Sequence, residues 1–96
     1  MKNIILCGIT GKMGKLIYEC LGSDYNVIAG VASRKAIIND IFVYDDLNTC
    51  LKENKCDLIM DFTNPLMGLK HLIIALENNR FAIVIPNLMI SSAFLV

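Results

Sequence analysis

"ILCGITGKMGKLI" (residues 5–17) decides how the rest of the chain is read. Gly8, Gly11 and Gly14 fall three apart, between an apolar run and a segment in which Met13, Leu16, Ile17, Cys20 and Leu21 recur at helical spacing. A strand, a glycine turn and a helix in that order can cradle a phosphate. The first glycine lets the chain turn sharply, and the second lets backbone approach a pyrophosphate with no Cβ in the way. The third lets the helix pack close to the strand. N–H groups at the helix start, from about Lys12, would then face the anion with the helix dipole behind them. The spacing is GxxGxxG, not GxGxxG, and a tight turn that binds nothing is the competing reading.

Outward from this stretch the pattern alternates. "NIILC" (3–7) is a short continuous apolar run, as expected of a strand buried on both faces. Gly22 follows the first helix as a stop signal, and "YNVIAGVA" (25–32) reads as a second strand. "KAIINDI" (35–41) reads as a loop or broken turn, and "FVY" (42–44) as a brief third strand. Asp45 or Asp46 can cap a short helix through about Glu53, with Leu47, Cys50 and Leu51 inward. "CDLIMDF" (56–62) is a fourth strand. Pro65 suits the first position of a helix whose apolar face is Leu69, Leu72, Ile73 and Leu76, with Thr63 or Asn64 as cap. "FAIVI" (81–85) is a fifth strand. The order β-α-β-β-α-β-α-β predicts an α/β fold, a Rossmann-like parallel sheet with helices on both faces, as a single truncated domain.

Composition narrows the function. Ninety-six residues make at most one domain, and the hydrophobic fraction is 55% with a mean hydropathy of +0.56. Nine basic and nine acidic residues cancel, which gives no electrostatic reason to expect nucleic acid or an anionic membrane as partner. The four cysteines contain no CxxC pair, and free buried thiols in a reducing compartment are expected. Four apolar residues before Gly8 are too few for a secretory signal. The uncharged tail 81–96 is shorter than a membrane span of about 20 residues and is interrupted by Pro86 and Asn87. A cytoplasmic protein is expected.

The second strand of a dinucleotide-binding unit commonly ends in an acidic residue that holds the ribose hydroxyls. Here it ends "VASRK", with Ser33 in that place and Arg34 and Lys35 after it. A carboxylate would repel a 2′-phosphate and an arginine can grip it, so the sequence leans to NADPH, with NADH possible. Arg34 and Lys35 as solvated loop charges is the plainer alternative.

"GITGKMG", "VYDDL" and "DFTNPLMGLKHL", in that order, resemble the N-terminal domain of 4-hydroxy-tetrahydrodipicolinate reductases, the dihydrodipicolinate reductases of diaminopimelate and lysine biosynthesis. The resemblance covers residues 1 to about 79. It implies an NAD(P)H-dependent reduction of a cyclic, unsaturated dicarboxylate. It implies a pyrophosphate held by Gly8, Ile9, Thr10, Gly11, Lys12 and Met13, a ribose read by Ser33 and Arg34, and a nicotinamide near Phe62 and Thr63. Residues 80–96 are degenerate or internally deleted relative to that pattern. The Gly-Thr-Thr-Gly turn of the family is absent after the fifth strand. Either "FAIVI" is that strand with the turn substituted, or "AIVIPNLMIS" matches the following strand, where the family carries a Pro-Asn-Phe-Ser-Ile-Gly-like segment. The second placement is preferred because Pro86, Asn87 and Ile90 match, and it adds Asn87 to the cofactor set.

The family takes its proton donor and substrate contacts from a His-His and Lys motif in a second domain, which these residues do not include. His71 is expected to be a surface or helix-packing residue, and no catalytic or metal-binding set is visible. The chain therefore reads as the cofactor-binding half of a reductase, not competent for turnover by itself. Two alternatives are a non-catalytic nucleotide-binding or regulatory module that docks or self-associates through its apolar tail, and a shortened extended short-chain dehydrogenase. The missing Tyr-x-x-x-Lys pair speaks against the last.

Overall fold

Ile4, Ile5, Leu6 and Cys7 are all fully buried, so β1 (Lys2–Cys7) is covered on both faces and everything else is arranged about it. The structure, a computed structural model, describes residues 2–84. In chain order the elements are β1, α1 (Lys12–Cys20), β2 (Tyr25–Val31), β3 (Ala36–Ile38), β4 (Ile41–Tyr44), α2 (Leu47–Glu53), β5 (Leu58–Asp61), α3 (Pro65–Glu77) and β6 (Phe81–Val84). The strands form one six-stranded sheet in the order β3-β4-β2-β1-β5-β6. β2 and β5 flank β1, and all pairs are parallel except β3 with β4.

That antiparallel pair corrects the sequence reading, in which residues 35–41 were a loop or broken turn. Ala36–Ile38 is a strand, joined to β4 by a two-residue turn at Asn39 and Asp40 with Ile38 opposite Ile41. Both turn residues have positive φ, 49° and 67°, as a hairpin whose turn matches the strand twist requires. Asn and Asp tolerate that conformation better than other side chains.

The side chains of β1 alternate between two cores. Ile5 and Cys7 face α2 and α3, packing with Ala29, Val31, Leu47, Cys50, Ile59 and Ala75. Leu6 faces the other way with Ile9, Val43 and Phe62, beneath Met13, Ile17 and Tyr18 of α1. Helices thus cover both faces. Asp46 caps α2, its carboxylate accepting from the Thr49 amide at 2.9 Å. Asn64 caps α3, accepting from the Met67 amide at 2.9 Å, with Pro65 in the first turn. Cys7, Cys50 and Cys56 are buried and Cys20 is exposed, and all four thiols are free. No helix among the described residues is long and apolar enough to cross a membrane.

Two helical faces differ from expectation. In α1, Leu16 is 53% exposed and Cys20 is also exposed, while Gly14 is the buried residue. In α3 the inward face is Gly68, His71 and Ala75, and Leu69, Ile73 and Leu76 point outward with Leu66. The helix is apolar all round, so spacing alone does not choose its face. Contact with the sheet chooses it, and the small residues let the helix approach. A Cβ at Gly68 would lie 2.8 Å from the Val84 side chain.

Gly14 has the tightest surroundings of any glycine in the chain. A Cβ there would sit 1.9 Å from the Gly8 carbonyl oxygen, whereas one at Gly22 would meet nothing within 4 Å. Gly14→Ala should cost about 3 kcal/mol or prevent folding, because the neighbour that must move is backbone. Gly22→Ala should leave stability unchanged or raise it by up to about 1 kcal/mol. Urea denaturation followed by circular dichroism measures both.

Candidate functional site

The sheet order reverses beside β1. The chain leaves β1 through α1 toward β2 and later returns through α2 to β5 on the other side. Loops after β1 and β5 therefore diverge, and a crevice opens at the carboxyl ends of the strands, where open α/β sheets bind ligands. It is a cleft of about 650 Å³, a size usual for small-molecule sites. Its walls are the glycine turn, the end of β2, the start of α2, and the loop from Phe62 into α3.

Gly8 turns the chain out of β1 with φ of +85°, and its amide donates to the Val31 carbonyl at 2.8 Å. The Gly11 amide closes the turn onto the Gly8 carbonyl at 3.0 Å. Gly11 then stands at the N-terminus of α1 with no side-chain cap, and no acidic residue occupies the first helical turn. The positive end of the helix is thus not offset by a local carboxylate. On the other wall, the Phe62 amide donates to the Cys7 carbonyl at 2.9 Å. A Cβ at Gly8 would lie 3.0 Å from the Phe62 carbonyl group, so the two loops are in direct contact.

Of the residues singled out from sequence, Gly8, Thr10, Gly11, Ser33, Phe62 and Thr63 line this cleft together. Ile9 is buried beneath the turn and Met13 packs against the same cluster, so their side chains serve the core. Lys12 and Arg34 are exposed next to lining residues and do not themselves line the cleft. Asn87 and the apolar tail lie outside the described residues.

Sequence reasoning gave Asp61 no role and left His71 as surface or packing. Both are buried, and the His71 Nδ1–H donates to the Asp61 Oδ2. The other oxygen, Oδ1, accepts from the Thr63 amide at 2.9 Å and from the Thr63 hydroxyl. A carboxylate in the apolar strand "CDLIMDF" was the available signal, since a buried charge needs partners. Burial alone would raise the Asp61 carboxyl. Hydrogen bonds from His71 and Thr63, with the electrostatic influence of the ring, outweigh it and hold the group below the usual carboxylate range.

Cys7 Sγ lies near this pair, with donor atoms of Cys7, Asp61 and His71 all within 4.8 Å of one another. Burial, and then the Asp61 charge, push the Cys7 thiol well above its ordinary pKa. Asp61 and His71 already satisfy each other in direct contact.

With this geometry in view, the relationship to known proteins is direct. The sequence profile described as "Dihydrodipicolinate reductase, N-terminus" matches residues 2–86. The chain belongs to the dihydrodipicolinate reductase family. A relative from Clostridium tetani, named 4-hydroxy-tetrahydrodipicolinate reductase, is 36% identical over 76 residues, covering 76% of this chain and 28% of the relative. One of the same name from Bacillus anthracis is 36% identical over 95 residues, covering 85% of this chain and 35% of the relative. A Bacillus mycoides relative, also so named, is 28% identical over 97 residues. The chain thus spans about a third of the length of these relatives and corresponds to the N-terminal part of the family.

The lowered Asp61 pKa makes a statement about stability. A carboxyl with a depressed native pKa contributes stability that is present above its unfolded value, about 3.9. That contribution disappears as pH falls through the native value. Asp61→Asn should lower stability at pH 7 by about 2 kcal/mol and flatten its decline below pH about 4. Urea midpoints taken across the acid range check this.

Proposed function

We propose that the cleft binds a nicotinamide dinucleotide, with the pyrophosphate at Gly8–Gly11 and the start of α1 and the nicotinamide toward Phe62 and Thr63. The observation that carries this reading is the meeting of an uncapped helix N-terminus and a glycine turn with the Phe62–Thr63 loop at the reversal of strand order. Membership of a reductase family supports it. The role that follows is the cofactor-holding part of an NAD(P)H-dependent reductase acting on a cyclic unsaturated dicarboxylate of diaminopimelate and lysine biosynthesis. Phe62 and Thr63 would place the hydride donor. The His-His and Lys groups that would orient the acceptor and supply its proton are not found in residues 1–96, so these residues alone would bind cofactor without turnover.

Gly11 provides the sharpest test, because its neighbourhood is open. Among the described residues, a Cβ there would meet only the Gly8 carbonyl oxygen, at 3.4 Å. Gly11→Leu should fold with a loss of about 1 kcal/mol, the cost of a poor helix cap. It should still place its side chain where a pyrophosphate would lie. Calorimetry should find NADPH binding to the wild type and none to this variant. Absence of binding to folded wild type, with NADPH and with NADH, would remove the reading.

Ser33, two residues past the end of β2, and the exposed Arg34 beside it support a preference for NADPH. Arg34→Ala should weaken NADPH about tenfold, as expected for a lost charge-assisted contact to the 2′-phosphate, and leave NADH nearly unaffected. Equal weakening of both cofactors would exclude that role for Arg34.

A non-catalytic docking module is the second reading. The apolar tail that suggests it in the sequence lies outside the described residues. The outward Leu66, Leu69, Ile73 and Leu76 of α3, with Phe81 and Ile83 of β6, give it support within them.

A further inference from the structure

We propose that His71 is a positioning residue for the nicotinamide-side wall of the cleft, acting through Asp61 on Thr63. The inference rests on the dinucleotide reading of the site. His71 itself lines the cleft beside Thr63, and its role through Asp61 is additional to that place.

The chain of bonds begins on α3 and ends in the cleft. His71 projects from the second turn of α3 and is 4% exposed. Its Nδ1–H donates to the Oδ2 of Asp61, the last residue of β5, which is 1% exposed. Asp61 Oδ1 then takes both the amide and the hydroxyl of Thr63. One carboxylate is thus held from a helix on one side and holds a loop on the other. Its plane is set by the imidazole. With that plane fixed, the carboxylate presents Oδ1 to the Thr63 amide and hydroxyl together.

The supporting contacts limit other solutions. Asn64 is committed to capping α3, so it does not compete for Asp61. The Phe62 amide is tied to Cys7 at the other end of the same short loop. Between these two anchors the Asp61 carboxylate is bonded to both the amide and the hydroxyl of Thr63 and contributes to holding the turn. Because Phe62 lies against Gly8, an error at Thr63 would be felt first at the Phe62–Thr63 wall and only afterwards across the glycine turn.

A leucine at 71 removes the donor and leaves Asp61 without its helix-side partner, whereas Asn can return an N–H near the position of Nδ1. Two measurements on the 96-residue chain test the proposal. The first is amide hydrogen exchange at Thr63 without ligand, where His71→Leu should accelerate exchange about tenfold and His71→Asn should recover most of the protection. The second is calorimetry with NADPH and with 2′-phospho-ADP-ribose, which lacks the nicotinamide. His71→Leu should weaken NADPH about tenfold and the fragment less than about twofold, again with recovery in His71→Asn. Should His71→Leu not fold, His71→Gln, which moves its N–H away from Asp61, takes its place in both comparisons. Unchanged Thr63 exchange in a folded variant, or equal weakening of NADPH and fragment, would overturn the proposal. If wild type binds no dinucleotide, the cofactor reading fails while the exchange result still decides whether His71 positions Thr63.

Discussion

Helix α1 lies on the turn that leaves β1 so closely that residue 14 has no room for a side chain, its Cβ position being 1.9 Å from the Gly8 carbonyl oxygen. Most of the site descends from this contact. It brings the start of α1 over the end of the central strand, which fixes where the helix points. It is accompanied by a left-handed backbone at Gly8, a conformation that glycine adopts without steric cost. The third glycine of the motif is thus architectural, and the first two give the cradle its open surface.

The second determinant is the reversal of strand order. β1 and β5 are parallel neighbours, yet their following loops go to opposite faces of the sheet. One loop carries the glycine turn and the other carries Phe62 and Thr63. They touch at Gly8 and Phe62 and separate above, so the crevice has a rigid floor made of backbone. A floor of this kind does not depend on side-chain rotamers, and it suits a ligand that is recognised largely through backbone N–H groups.

Much of this was legible in the order of the residues. Unbroken apolar runs identified the central strands, and glycines between a strand and a helix located the cleft. Asp46 and Asn64 were among the caps expected, because short polar side chains before apolar helices satisfy amide groups in a predictable way. Strand β3 was not legible. Three residues, "AII", carry too little pattern, and the Asn39–Asp40 turn shows its type only through backbone angles. The face of α3 was hidden for the opposite reason, since leucines and isoleucines occur all around it and the deciding residues are small or polar. The Asp61–His71 pair was hidden because ten positions separate its members, and only the return of α3 over the sheet brings them together.

The two margins of the sheet are unlike. At one, β3 is three residues long and folds back against its neighbour through a tight turn. At the other, β6 runs in the common direction, with Phe81 80% exposed and Ile83 45% exposed. Short, reversed edges offer little ladder to an incoming strand, and longer ones in the common direction offer more. Among the described residues the sheet is therefore asymmetric: its β3 margin is short and reversed, and its β6 margin runs with the other strands and is flanked by the apolar outer surface of α3.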